Sequence, residues 1–93
     1  MMIGSFSCKD TKSFFETGKT RKWSSIANVA SRKLTMLDAA VELKDLKSPP
    51  GNRLEQLDGD RLGQHSIRIN DQYRICFIWG ANGPENVEIT DYH

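Results

Sequence analysis

Asp91, Tyr92 and His93 close the sequence with an acid, a phenol and an imidazole side by side, a combination able to move protons. A frayed tail would read the same way, since chain ends are often poorly ordered. Arg68 and Arg74 offer a second chemistry. Guanidinium groups grip phosphate in a fork, so two arginines side by side either share an anion or splay to separate carboxylates such as Glu55 or Glu88. The remaining reactive side chains suggest less. Cys8 and Cys76 form no Cys-x-x-Cys pair, and His65 and His93 are not at metal-ligand spacing from either. Two cysteines in so small a chain read as reduced thiols. Cys76 has no histidine of matching parity near it and is not read as a nucleophile. His65 alternates with Ile67 on an apolar strand face and reads as a hydrogen-bonded core or edge histidine rather than a catalyst. Trp23 and Trp79 read as packing residues, although Trp23 lies in a basic stretch where it is also placed to stack on a base.

These side chains are positioned by the elements around them. Residues 3–6 read as a short first strand. Asp10 or Thr11 caps a short helix through Phe14, Phe15 and Glu16, and Gly18 closes it. Residues 19–23 form a basic connector. From Ser24 or Ser25 onward, Ile26, Val29, Ala30, Leu34, Leu37, Ala40 and Val41 recur at helical spacing, which predicts an amphipathic helix to about Leu43 or Leu46. Lys33 falls inside that apolar stripe, either snorkelling at the core edge or marking a stretch left uncovered. Pro49-Pro50-Gly51-Asn52 then stops the helix.

The period changes to two beyond Arg53. Strands are expected over residues 53–57, 64–69, 73–79 and 86–92, with turns at 58–60, 70–72 and 80–84. The order β-α-α-β-β-β-β describes an α+β domain with two helices packed on a mostly antiparallel sheet. A three-residue loop at Asn70-Asp71-Gln72 keeps the faces of the central hairpin distinct. One side carries His65, Ile67, Ile69, Tyr73, Ile75, Phe77 and Trp79; the other, largely polar, carries Gln64, Ser66, Arg68, Arg74, Cys76 and Ile78. Arg68 and Arg74 become cross-strand neighbours, with Cβ atoms about 5 Å apart. In the last strand Val87 and Ile89 face the core. Regular pleating sends Asp91 and His93 inward and Tyr92 outward, unless the strand ends near Thr90 or a bulge turns the tail.

Composition narrows the class. Ninety-three residues, 38% hydrophobic and 27% charged, suit one folded domain. No apolar run has the length of a membrane span, and no basic stretch precedes an apolar one at the start, so neither membrane insertion nor secretion is expected. The net charge of +1 argues against charge-driven coating of DNA or membrane. The distribution is uneven: residues 1–33 hold seven Lys or Arg against two acids, and residues 34–93 hold six against ten. That asymmetry marks one basic surface or an ordinary solvated helical face.

Taken in order, Pro49-Pro50-Gly51-Asn52-Arg53-Leu54-Glu55, then Gly59-Asp60-Arg61, then Gly63-Gln64-His65-Ser66-Ile67-Arg68-Ile69-Asn70-Asp71-Gln72-Tyr73-Arg74-Ile75, then Asp91-Tyr92-His93 closely resemble the HigB toxins of bacterial toxin–antitoxin pairs, also called plasmid maintenance system killer proteins. Ser5-Phe6 and residues 32–40 look similar too, so the resemblance spans nearly the whole chain. It implies the RelE/ParE-type fold and an endoribonuclease that cuts messenger RNA in the A site of the 70S ribosome, in the cytoplasm, with no metal or other cofactor. It also implies a HigA antitoxin with a helix-turn-helix domain, through which operator DNA is bound only indirectly.

In such cleavage a base takes the proton of the ribose 2′-hydroxyl and the oxygen attacks the adjacent phosphate. An acid protonates the leaving 5′-oxygen, and cations stabilise the charge on phosphorus. The resemblance matches Asp91, Tyr92 and His93 to the family's terminal catalytic residues and Arg74 to an arginine at the site. His93 would handle the proton, Tyr92 orient or donate, Asp91 position the site or the RNA, and Arg74 clamp the transition state. Family members often carry Leu-Lys-Gly-Asp where this chain has Leu57-Asp58-Gly59-Asp60. Asp58 repels phosphate, so Arg53, Arg61 and Arg68 must supply more of the positive field for RNA, and a weaker toxin or an altered RNA preference is expected. ParE-like relatives of the same fold act on DNA gyrase instead. A non-enzymatic gyrase poison, or a weakened toxin acting mainly through its antitoxin complex, are the alternatives.

Overall fold

The computed structural model describes residues 2–91. Two helices, α1 (Lys9–Thr17) and α2 (Ala27–Ala39), precede four strands, β1 (Glu55–Gln56), β2 (His65–Arg68), β3 (Tyr73–Gly80) and β4 (Gly83–Asp91). The strands form one antiparallel sheet in the order β1-β2-β3-β4. Phe14, Ala30, Leu34 and Leu37 of the helices meet Ile67, Ile75, Phe77, Val87 and Ile89 of the sheet in a single core. Each such side chain, fully buried, contributes about 1.5–3 kcal/mol. The α+β architecture expected from the periodicities is the one observed.

α1 ends as its sequence requires. Gly18 takes the left-handed conformation (φ 75°) and its N–H donates to the Phe14 carbonyl at 2.8 Å. The helix begins slightly earlier than expected, with Cys8 at the N-cap and no side-chain cap. Thr11, expected as a cap, is buried instead, and its Oγ1 accepts the N–H of Ile89 at 3.1 Å, tying α1 to β4.

Three elements differ from expectation. Residues 3–6 form no strand, only a parallel bridge between Phe6 and Val87, flanked by Gly4 N–H to Pro84 O at 2.8 Å and Val87 N–H to Ser5 O at 3.1 Å. Continuous pairing is blocked by a bulge in β4 between the Cys76–Glu88 and Ile78–Glu85 pairs, where Asn86 adopts φ 52° and its N–H turns to Ser5 Oγ.

α2 stops at Ala39, short of Leu43. The Asp45 carboxylate accepts the N–H groups of Val41 (3.1 Å) and Glu42 (2.9 Å), which a continued helix would have used, and opens a separate 3-10 turn at Leu43–Lys47. Leu46 still reaches the core.

The third difference is the β3–β4 connection. Gly80 pairs with Gly83 across only Ala81-Asn82, tighter than the expected turn, with Gly83 at φ 118° and Pro84 already in the strand opposite Trp79. The β2–β3 hairpin has the expected register: Ile67 faces Ile75 and Arg68 faces Arg74, with Tyr73 O accepting from both Ile69 and Asn70.

Candidate functional site

The sheet face away from the helices is polar as expected, yet covered at its centre. Ser66, Arg74 and Cys76 are all buried, and the chain at Arg53 closes over the Arg74 guanidinium. Arg74 is 7% exposed. Its Nε donates to Ser66 Oγ at 2.7 Å and its Nη2 to the Arg53 carbonyl at 2.6 Å, with Glu55 Oε1 3.8 Å away. Arg53 presents that carbonyl from a left-handed conformation (φ 45°) that follows the 3-10 turn Pro50–Asn52, while its side chain is exposed. This left-handed residue also shortens β1, expected from residue 53, to Glu55–Gln56.

The neighbouring arginines splay to different carboxylates. Arg68 pairs with Asp71 in the hairpin loop. Arg61 donates to Glu88 at 2.7 Å and to Gln64 at 3.0 Å. Of the two readings the sequence left open, the structure shows separate carboxylates, with Glu55 taken by Arg74 and Glu88 by Arg61. Arg68 and Arg74 nonetheless share one face, the buried Arg74 held by Ser66, the Arg53 carbonyl and Glu55.

β4 runs in register to Asp91, so it does not end at Thr90, and the bulge among its described residues lies at Asn86. Arg74 faces Thr90, and Tyr73 faces Asp91. Alternation therefore puts Arg74 and Asp91 on opposite sheet faces at the same end of the sheet. Asp91 is exposed, and its Oδ2 accepts from Gln72 Nε2 at 3.1 Å. Tyr92 and His93 lie outside the described residues.

Burial pushes the Cys76 thiol up, outweighing the opposite pull of its polar surroundings and of the Arg61 charge, so the group is a neutral thiol at ordinary pH. His65 stacks on Phe77 with ring centroids 6.1 Å apart, at the core edge as expected, but its Nδ1 is buried with no hydrogen-bond partner among the described residues, so it is held by stacking rather than by the hydrogen bond expected there. Trp23 is buried against Phe14, with Lys22 5.2 Å from its ring, and so is a packing residue. Among the described residues no three His, Cys, Asp or Glu side chains gather as a metal site, and no helix is long and apolar enough to cross a membrane.

One buried polar residue escaped sequence reasoning. Asn52, fully buried, donates from Nδ2 to the carbonyls of Leu46 (3.1 Å) and Ser48 (3.4 Å) and to Met36 Sδ (3.0 Å), while its Oδ1 accepts from Lys33. It directly precedes the Arg53 carbonyl that holds Arg74. The oddly placed Lys33 was its only signal in the sequence.

A two-helix layer on a four-stranded antiparallel sheet of this order is the RelE toxin fold. A chain of a YoeB-YefM complex from Staphylococcus aureus superposes with a TM-score of 0.61 at 18% identity, covering 100% of this chain and 97% of that one. Residues 4–93 match the family model of HigB-like toxins, described as RelE-like toxins of type II toxin–antitoxin systems. Toxin HigB-1 of Vibrio cholerae serotype O1 is 47% identical over 76 residues, 80% of each chain. An uncharacterized protein of Haemophilus influenzae is 37% identical over 81 residues, 85% of this chain and 80% of that one. The chain belongs to the HigB-like toxin family.

Proposed function

We propose that this toxin is an endoribonuclease that cleaves messenger RNA in the A site of the 70S ribosome, in the cytoplasm, and is neutralised by a HigA-type helix-turn-helix antitoxin. The observation that carries the reading is the locked guanidinium of Arg74. Its bonds at 2.7 and 2.6 Å to the Ser66 hydroxyl and the Arg53 carbonyl hold the planar fork in one orientation on the polar face. A cation oriented beforehand is suited to a phosphorane-like transition state.

Arg53, Arg61 and Arg68 border the same face and supply the field that draws the RNA backbone. Asp91, held by Gln72 at the end of the sheet, positions the RNA. Tyr92 and His93 enter from the sequence resemblance, His93 moving the proton and Tyr92 orienting or donating. Glu55, half-exposed beside Arg74, is a carboxylate on the same face able to accept a proton from a ribose hydroxyl. Asp58, exposed at the start of the turn that carries Arg61, lowers the local positive field and makes a modest toxin the expectation.

The test is expression of the toxin with mapping of cellular mRNA 5′-ends. Cuts that need translation and vanish in Arg74→Ala and His93→Ala are expected. Intact mRNA together with inhibited supercoiling would overturn the reading in favour of a gyrase poison.

A further inference from the structure

We propose that Asn52 is a positioning residue for the Arg74 clamp: tethered to α2 by Lys33, its side chain fixes the turn that aims the Arg53 carbonyl at the guanidinium. The inference rests on the nuclease reading and extends it to what sets the orientation of the clamp.

Asn52 is fully buried. Its Nδ2 donates to the Leu46 carbonyl at 3.1 Å and the Ser48 carbonyl at 3.4 Å, which fixes the chain entering the turn. The same amide reaches Met36 Sδ at 3.0 Å, and Oδ1 accepts from the Lys33 ammonium. Met36 and Lys33 both belong to α2, so the turn is tied to the helix layer as well as to itself. That tie also accounts for a lysine inside the apolar stripe: half-buried, it has a defined partner.

The turn delivers a strained residue. Asn52 N–H donates to the Pro49 carbonyl at 2.9 Å and Arg53 N–H to the Pro50 carbonyl at 3.1 Å, and Arg53 then adopts φ 45° and ψ 57°. A left-handed conformation is unfavourable for arginine and persists where the surroundings over-determine it. Here it brings the Arg53 carbonyl to Nη2 of Arg74 at 2.6 Å. Nε of Arg74 is held from β2, by Ser66 Oγ at 2.7 Å. Bonds on two nitrogens fix the plane of a guanidinium, whereas one leaves it a rotation. Of these two bonds, the one from the turn is the one that depends on Asn52.

The test records the side-chain resonances of Arg74 in isotope-labelled, full-length toxin, assigned by their absence in Arg74→Lys. A guanidinium held on both nitrogens rotates slowly and shows separate Nη1 and Nη2 resonances; a loosened one shows a single averaged resonance. Asn52→Asp keeps the shape and the acceptor for Lys33 but turns a carboxylate oxygen onto the Leu46 and Ser48 carbonyls. It is expected to merge the Arg74 resonances while the backbone amide spectrum stays that of a folded protein. Cleavage is measured on 70S ribosomes carrying a messenger whose cut site 5′-end mapping has located. There kcat is expected to fall about 10–100-fold with KM within about twofold of wild type. Lys33→Met, which removes the tether to α2, is expected to merge the resonances too, and it decides the matter if Asn52→Asp fails to fold. Separate resonances in the folded variant overturn the proposal. So does a loss of activity carried by KM with kcat intact, which assigns Asn52 to holding RNA. A toxin that cuts mRNA while its Asn52→Asp resonances stay separate keeps the nuclease and loses the positioning residue. One whose resonances merge but whose wild type cuts no mRNA keeps the coupling of Asn52 to Arg74 and loses the nuclease.

Discussion

Arg74 has two duties that substitutions separate. Its bonds to Ser66 and the Arg53 carbonyl join β3, β2 and the chain entering β1, so removing the guanidinium strands two acceptors in a buried place. Arg74→Ala is expected to cost about 2–3 kcal/mol of stability in urea unfolding, the range for a lost charge-assisted bond with unsatisfied partners. Arg74→Lys keeps the charge but not the planar fork. It should retain more stability than the alanine variant and still lose most mRNA cleavage, read by 5′-end mapping. A lysine variant that is stable and fully active would show that charge alone suffices and that the locked orientation is irrelevant. The neutral, buried Cys76 thiol makes a second expectation at this scale: in the native protein it should alkylate far more slowly than the part-buried Cys8, a difference that peptide mass mapping resolves and that denaturant should erase.

Among the elements, the end of α2 has an unusual electrostatic basis. The N–H groups of Glu42 and Val41 hold the Asp45 carboxyl below the usual carboxylate range. A carboxylate with a depressed folded pKa stabilises the native turn above its unfolded pKa, and that stabilisation fades as pH falls through the folded value. The Val41 and Glu42 amide resonances should therefore titrate together in acid, below the pH of an ordinary aspartate, and should not titrate there in Asp45→Asn. This competition explains why the helix boundary was hidden in the sequence. Val41 and Leu43 continue the helical spacing, and only the hydrogen bonds of Asp45 decide against it. The hairpin, by contrast, was legible because a single register keeps Ile67 and Ile75 inside and Arg68 and Arg74 outside. The bulge at Asn86 was not, since nothing in a period-2 pattern announces a left-handed residue. Asn86→Val should cost about 1–2 kcal/mol, as a β-branched residue is poorly suited to φ 52°. The site was half legible for a similar reason. Strand pairing exposes which residues share a face, whereas the cover over Arg74 comes from Arg53, 21 positions earlier in the chain.

For the whole molecule, folding and killing should be separable at the last residue. The described ladder pairs as far as Tyr73 with Asp91, and the core is closed by Ile89, two residues earlier. The proposed proton carrier, His93, lies beyond both. Deleting His93 should leave the thermal unfolding midpoint within about 2 °C of wild type, since the described ladder and core are complete before it and a change outside them is usually worth no more than about ±0.5 kcal/mol. Antitoxin binding should persist for the same reason, while growth inhibition on induction drops sharply. Deleting Asp91 through His93 should be worse on both counts, because it removes a ladder pair and the Gln72 contact as well. Thermal denaturation and plating efficiency, measured on the two truncations side by side, give the contrast. Full killing by the protein lacking only His93 would take the proton-transfer role away from that residue and leave Glu55 and Tyr92 as the acid–base groups to test next.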